Sequence, residues 1–300
     1  MAASNLGYQF KTANVAVKII VINALVFIGF ELFAWIFQLP TSALKQWFWL
    51  PANPVDLLMQ PWSLITYAFL HAGFWHIFMN MLILYWFSQM VLNLFTPKRF
   101  LTIYFLGAIA GAVFFLFAYN LFPVFRGASG IASLQGASAA VMAIMIFMAT
   151  YTPNAEVRVF FFNVKLWQIG VFLVLLDLIR IPNNENAGGF ISHLGGALFG
   201  YVYATQLAKG NDIGLWWERM LEGFFTMFKK REKTSRMKTV YRNQRKSHTS
   251  SPSSTAKKEN LSKSEHQRKI DDILDKISKS GYDSLTKHEK DFLFKAGKDT

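Results

Sequence analysis

The chain has 300 residues, 53% hydrophobic and 16% aromatic, with 30 Phe and a formal net charge of +13. Cysteine is absent, which excludes disulfides, thiolate nucleophiles and cysteine-ligated metals. Long apolar runs recur up to about position 207 and most of the charge lies beyond it, so the class expected is a polytopic membrane protein with a polar tail. The basic excess suits loops and a tail beside anionic lipid, and nucleic acid is not expected as a partner.

Residues 1–15 form a short, mildly basic N-terminus. The first apolar run ends in AWIFQLP (34–40) with no small-residue cleavage pattern, and it is longer than a signal-peptide core; a retained helix is expected over about 17–37. It holds Asn23 and Glu31. The connection 38–74 is rich in Pro, Trp and Leu. Pro51, Pro54 and Pro61 divide it into short helical pieces, expected at the membrane interface with Trp47, Trp49 and Trp62 as anchors. Further helices are expected over about 75–94, 100–119, 137–151, 159–179 and 190–207, separated by Lys98–Arg99, a Gly/Ser-bearing loop (122–136), Tyr151–Asn154 and a turn-rich connector (180–189). The fold class expected is therefore all-α, a six-helix transmembrane bundle.

Short-loop charge orients it. Lys11, Lys18, Lys98, Arg99, Arg158 and Lys165 fall on one side, with the basic tail, and Lys45, Arg126 and Arg180 on the other; both termini are expected in the cytosol. The domains expected are a membrane domain over 1–207, a basic disordered linker over 208–263, and a small helical module over 264–300. In that module Ser264 with Gln267 reads as a capping box, Ile270, Ile273, Leu274 and Ile277 form a stripe, Gly281 breaks the helix, and Thr286 with Glu289 offers a second box. The apolar face is small, so a cytosolic partner, or docking on the membrane domain, is open for it.

Three of the expected helices run in the same direction and carry polar residues in their first turns: His76 and Asn80, then Ser138, then His193. Ser138 lies among Gly136, Ala137, Ala139 and Ala140. Small neighbours allow close helix contact, which by itself is equally a packing site or a nucleophile's setting. His193 is followed by Gly196 and Gly200 on its own face, which permit approach to the Ser138 helix within hydrogen-bonding reach, about 2.6–3.2 Å. An intramembrane histidine is functional by default. His76 and Asn80, four apart on one face, supply N–H donors for a developing oxyanion, together with the Ser138 backbone N–H. Asp177 and Glu31 read as structural contacts, so the expectation is a Ser138–His193 dyad without a carboxylate. Tyr201 or Tyr203 stacks or bonds near the histidine in this reading. Ser129 in GASG (127–130) is a decoy, set in the loop and not at the depth of the others. HExxH is absent and a pair of facing membrane aspartates is lacking, so metalloprotease and aspartyl chemistry are not expected, nor is any cofactor or metal. The polar residues cluster toward one side, unlike a transport path.

His71, His76 and Asn80, then Gly136, Ala137 and Ser138, then His193, Gly196 and Gly200 resemble the motifs of the rhomboid family of intramembrane serine proteases, over roughly residues 15–207. The resemblance implies that Ser138 attacks a peptide carbonyl of a transmembrane substrate, with His193 as base and then acid, and with His76, Asn80 and the Ser138 N–H stabilising the oxyanion. His71 is more structural than catalytic. Two positions depart from the family pattern. Trp62 is followed by Ser63 where an arginine is usual, and Ala139 replaces a glycine after Ser138. The alternative is an inactive relative that binds or chaperones transmembrane clients. The C-terminal hairpin is similar to a module on some bacterial members, and the expected setting is a bacterial cell inner membrane, with membrane lipid and transmembrane substrates as partners.

Overall fold

In the computed structural model residues 6–159, 161–183, 186–228 and 257–296 are described. They fall into two compact units, 1–231 and 232–300. Residues 229–256, half of the stretch expected to be disordered, lie outside the described residues.

The first unit is built on six main helices: α1 (Val15–Ile36), α2 (Phe74–Leu94), α3 (Pro97–Leu121), α4 (Ser138–Tyr151), α5 (Leu166–Arg180) and α6 (Ala187–Ala208). Of these α1, α2 and α3 are long and apolar enough to cross a membrane, and α4 is a shorter apolar helix. The fold is mostly helical, as a rhomboid-type membrane fold requires. It is not wholly α: two short antiparallel ladders join the helices.

Helix starts are set by local chemistry. Asn14 caps α1, its side chain accepting from Val17 N–H at 2.9 Å. Thr96 caps α3 with Pro97 in the first turn, so this helix begins three residues before the expected position 100. The expected start of the fifth helix at 159 is displaced to Leu166. The residues before it form a hairpin, β3 (Glu156–Val159) with β4 (Phe162–Lys165), in a register that sets Glu156 opposite Lys165 and Val157 opposite Val164. Cross-strand charge and β-branched pairs favour a ladder there over a helical turn. The other ladder, β1 (Leu50–Pro51) with β2 (Ser133–Leu134), ties the long connection to the loop that precedes α4.

The connection 38–74 holds the short helical pieces Thr41–Lys45, Pro54–Met59, Ser63–Thr66 and Tyr67–Phe69. Lys45 is buried, with Nζ 2.9 Å from Glu31 Oε1 on α1 and 2.9 Å from the His71 carbonyl oxygen. It is the buried cation of this connection, whose Ser63 is itself fully buried.

Helix α4 stands at the centre, and every residue from Ala139 to Ala149 is buried. Its neighbours reach it through glycine. A methyl group at Gly196 or Gly200 of α6 would run into the backbone carbonyls of Ala139 or Ala143, and one at Gly107 of α3 would meet the Ala143 side chain. Without side chains between them, the α4 and α6 backbones lie against each other, the close packing that holds membrane helices together where the solvent is itself apolar.

Beyond α6, a helix α7 (Leu215–Phe228) occupies part of the stretch expected to be linker. In the second unit α8 (Lys257–Ser280) and α9 (Lys287–Ala296) form the helical pair. Helix α8 runs through Ser264, so that serine does not start it; residues 257–263 are good helix formers with no breaker among them. Gly281 ends the helix at φ +76. The Thr286 hydroxyl and backbone N–H both donate to Glu289, and Lys276 pairs with the same carboxylate at 2.9 Å. Ile273 and Leu285 form the small core.

Candidate active site

The loop before α4 prepares the serine. Gly136 N–H donates to the Tyr67 carbonyl at 2.9 Å, and Gly136 adopts φ +134, a conformation only glycine takes without strain. A side chain there would also strike the His76 imidazole, within 2.9 Å of Nε2. Ser138 is therefore the first residue of α4, half-buried, with its backbone N–H among the unpaired donors of a helix N-terminus. The Gly196–Ala139 contact fixes α6 against the residue next to it.

Helix α2 supplies the second wall. Tyr67, fully buried, donates its hydroxyl to the Ala108 carbonyl at 2.6 Å, and Tyr104 donates to the Ala68 carbonyl, which pins the approach to α2 against α3. His71 is buried and its ring meets that of His76 edge-on at 5.1 Å. Burial, His76 and Lys45 push the His71 pKa down to about 3, so it is neutral at any working pH. The Ala72 N–H donates to His76 Nδ1 over a long 3.4 Å, which leaves the proton of a neutral His76 on Nε2, the atom nearest Gly136. Asn80 uses one amide hydrogen on the His76 carbonyl at 2.8 Å and keeps another free.

His193 has a carboxylate partner. Its Nδ1 lies 3.0 Å from Asp177 Oδ2, and Asp177 is buried. A carboxylate only accepts, so Nδ1 carries the proton and Nε2 presents its lone pair. The expectation of a dyad lacking any acidic residue is corrected by this pair. The signal was in the sequence: Asp177 and His193 lie 16 residues apart, across the short connector between two expected helices, a spacing that sets them at the same level. Near the end of its helix, Asp177 reads instead as a structural contact.

Ser138, His193, Asp177, His76 and Asn80 all line one cavity of about 540 Å³. Ser129 does not. Its hydroxyl donates to the Arg126 carbonyl, and it lines a separate cleft with Trp47 and Trp49. The expected tyrosines are also elsewhere: Tyr203 donates to Asp212 at 2.8 Å, and Tyr201 lines an apolar crevice between α5 and α6. The ring beside His193 is Phe190, edge-on at 6.0 Å. The two histidines thus present opposite faces to one space, a lone pair from His193 and an N–H from His76.

Residues 58–210, half of the chain, match the family model described as Rhomboid domain. The chain belongs to the rhomboid family. This family generally comprises serine intramembrane proteases acting on transmembrane substrates. Residues 256–295 match a family of unknown function, DUF6576. Among similar proteins, RHOMBOID-like protein 12, mitochondrial, of Arabidopsis thaliana is 36% identical over 159 residues, which is 49% of this chain and 47% of the relative. Rhomboid protein 1, mitochondrial, of Saccharomyces cerevisiae is 27% identical over 156 residues, 51% of this chain and 44% of the relative. Presenilin-associated rhomboid-like protein, mitochondrial, of Mus musculus is 28% identical over 191 residues, 62% of this chain and 47% of the relative. The chain spans about half the length of the curated relatives it matches. These relatives overturn the expectation of a bacterial protein in a cell inner membrane: they are eukaryotic and named as mitochondrial. Location in a membrane stands.

Proposed function

We propose that this rhomboid is an intramembrane serine endopeptidase that cleaves transmembrane segments of other proteins. Ser138 Oγ attacks the scissile carbonyl while His193 Nε2 takes its proton, and Asp177 holds the imidazole in the required tautomer. The oxyanion accepts hydrogen bonds from the Ser138 N–H, His76 Nε2–H and the free Asn80 N–H. Collapse of this intermediate breaks the C–N bond, and the imidazolium returns the proton to the leaving amine. Water, deprotonated by the same nitrogen, then releases the acyl group from Ser138.

In this proposal the membrane domain is residues 1–207, α1 to α6 each cross the membrane, and both ends of that domain lie on one side; residues 264–300 are a separate module. The 14 residues of α4 rise only about 21 Å, less than the ~30 Å of hydrocarbon. A helix that short begins beneath the membrane surface, which suits a hydroxyl at the foot of a water-filled cavity.

The observation that carries this function is the single cavity holding Ser138, His193 with Asp177, and the donors His76 and Asn80. The experiment is cleavage of a transmembrane reporter, with labelling by a serine-reactive fluorophosphonate, for wild type and Ser138→Ala in membranes. Cleavage and labelling are both expected to vanish in the variant. Cleavage that survives Ser138→Ala would refute the nucleophile, and binding of the reporter without labelling of the wild type would favour a non-catalytic client binder.

A further inference from the structure

Helix α7 lies outside everything the catalytic reading uses. It is held by a charge network to the start of α3. Arg99 pairs with Asp212 just ahead of α7 and reaches Glu218 at 3.8 Å, and Lys98 pairs with Glu222. Tyr203 of α6 and the Gly214 N–H both donate to the other Asp212 oxygen, at 2.8 and 3.0 Å. Trp217 is buried, its ring 6.4 Å from Phe105. The helix is thus fastened to α3 and α6 and is not a free tail.

Its level follows from α3. That helix is 25 residues long and apolar enough to cross a membrane, a rise of about 37 Å against ~30 Å of hydrocarbon. Its ends therefore reach the headgroups, and Lys98 and Arg99 mark one of them. Because α7 is paired to these two residues, it sits at headgroup depth. At that depth it leaves apolar side chains uncovered. Trp216 is 58% exposed and Met220 48%, and they lie four residues apart on one face, next around the helix to the Trp217 face. Arg219 is exposed and flanks the stripe on the side away from Trp217, about 60° around the helix from Trp216 and about 100° from Met220.

We propose that α7 is an interfacial helix that sets its Trp216–Met220 stripe into the acyl boundary of the leaflet at the Pro97 end of α3. An amphipathic helix with an aromatic apolar face binds a bilayer surface by burying that face at the headgroup and acyl boundary. Water would leave the stripe solvated at the one level of the molecule where hydrocarbon is adjacent.

The absence of cysteine makes the test clean. Nitroxide labels are placed on Trp216→Cys, Met220→Cys and Arg219→Cys of the full chain in nanodiscs of equal phosphatidylcholine and phosphatidylglycerol. Collision with oxygen over a water-soluble nickel chelate is expected to be severalfold higher at 216 and 220 than at 219. Equal nickel collision at all three positions would place the stripe in water and overturn the proposal. Protection of 216 and 220 from both reagents would show a protein cover, and loss of that protection in a chain ending at residue 256 would name the C-terminal unit as the cover; either also overturns it.

Discussion

Gly196→Ala tests whether the α4–α6 seam sets the reaction geometry. The new methyl group would overlap the Ala139 carbonyl oxygen, which belongs to the backbone of the most buried helix and cannot turn aside. Relief requires the two helices to part by on the order of 1 Å, the difference between that overlap and ordinary contact. Overpacking of this kind costs about 1–3 kcal/mol of stability. The larger effect is on chemistry: Ala139 follows Ser138, Gly196 lies one turn from His193, and misplacement by about 1 Å costs on the order of 100-fold in rate, or ~2.7 kcal/mol. The assay is cleavage of a transmembrane reporter in proteoliposomes, beside thermal unfolding in detergent. Two comparisons separate the effects. Gly107→Ala meets the Ala143 side chain, farther along α4, and is expected to lose stability with a smaller loss of rate. Gly29→Ala on α1 meets nothing within 4 Å and is expected to be neutral in both assays. Wild-type cleavage by Gly196→Ala would show that the seam does not fix the Ser138–His193 geometry.

Asp177→Asn is expected to lower kcat by about 10⁴-fold with KM little changed, because an amide can donate to Nδ1 and leave the proton on the wrong nitrogen; equal activity would remove Asp177 from the mechanism, and partial recovery in Asp177→Glu would support it. Gly136→Ala forces a side chain into φ +134 and into the His76 ring, at a cost of about 1–3 kcal/mol, so fluorophosphonate labelling of Ser138 is expected to be lost before the fold is. Lys45→Met keeps the stem but leaves the His71 carbonyl without this donor and Glu31 with the Thr41 hydroxyl at 3.5 Å; about 1–3 kcal/mol of stability is expected to go, read as a lower unfolding temperature, and an unchanged temperature would show the ion pair to be ornamental. In the second unit Glu289 is held down to about 2, first by the Thr286 backbone N–H and then by Lys276 and the Thr286 hydroxyl. A depressed carboxylate stabilises the fold above its unfolded pKa of ~4.3 and loses that contribution as pH falls toward about 2. Its carboxyl carbon shift, followed by NMR in the full chain, is expected to titrate near 2, and a midpoint near 4 would remove the capping box from the stability of α9.

What the sequence made legible was periodicity and punctuation. Long apolar runs announced the membrane helices, and prolines cut the connection 38–74 into the short helical pieces that the structure contains. Ser138, His193, His76 and Asn80 were visible because polar residues stand out in apolar runs, and they line one cavity. Asp177 stood out equally, but a carboxylate near a helix end reads as well as a structural contact, and only the packing of α5 on α6 sets it against His193. Valines in 156–165 suit strand and membrane helix alike, which displaced only the start of α5. Helix α7 was missed because its charges are tertiary partners of Lys98 and Arg99, more than a hundred residues away. The gatekeeping of Gly136 by the His76 ring is likewise a contact between distant segments. The source was misjudged because nothing in composition or motif spacing distinguishes a bacterial membrane from an organelle's.

Helix α5 has few anchors. It buries Leu166, Gly170 and Asp177, while Phe172, Leu175 and Ile179 stay exposed along its length. A lightly buried helix is thus the one whose acidic side chain, in the proposed mechanism, steers the proton acceptor. Any outward swing that widened the cavity for an incoming polypeptide would also uncouple carboxylate from imidazole, so admission and turnover would be exclusive in time, and an inhibitor that wedged this helix outward would disarm the centre without touching the serine.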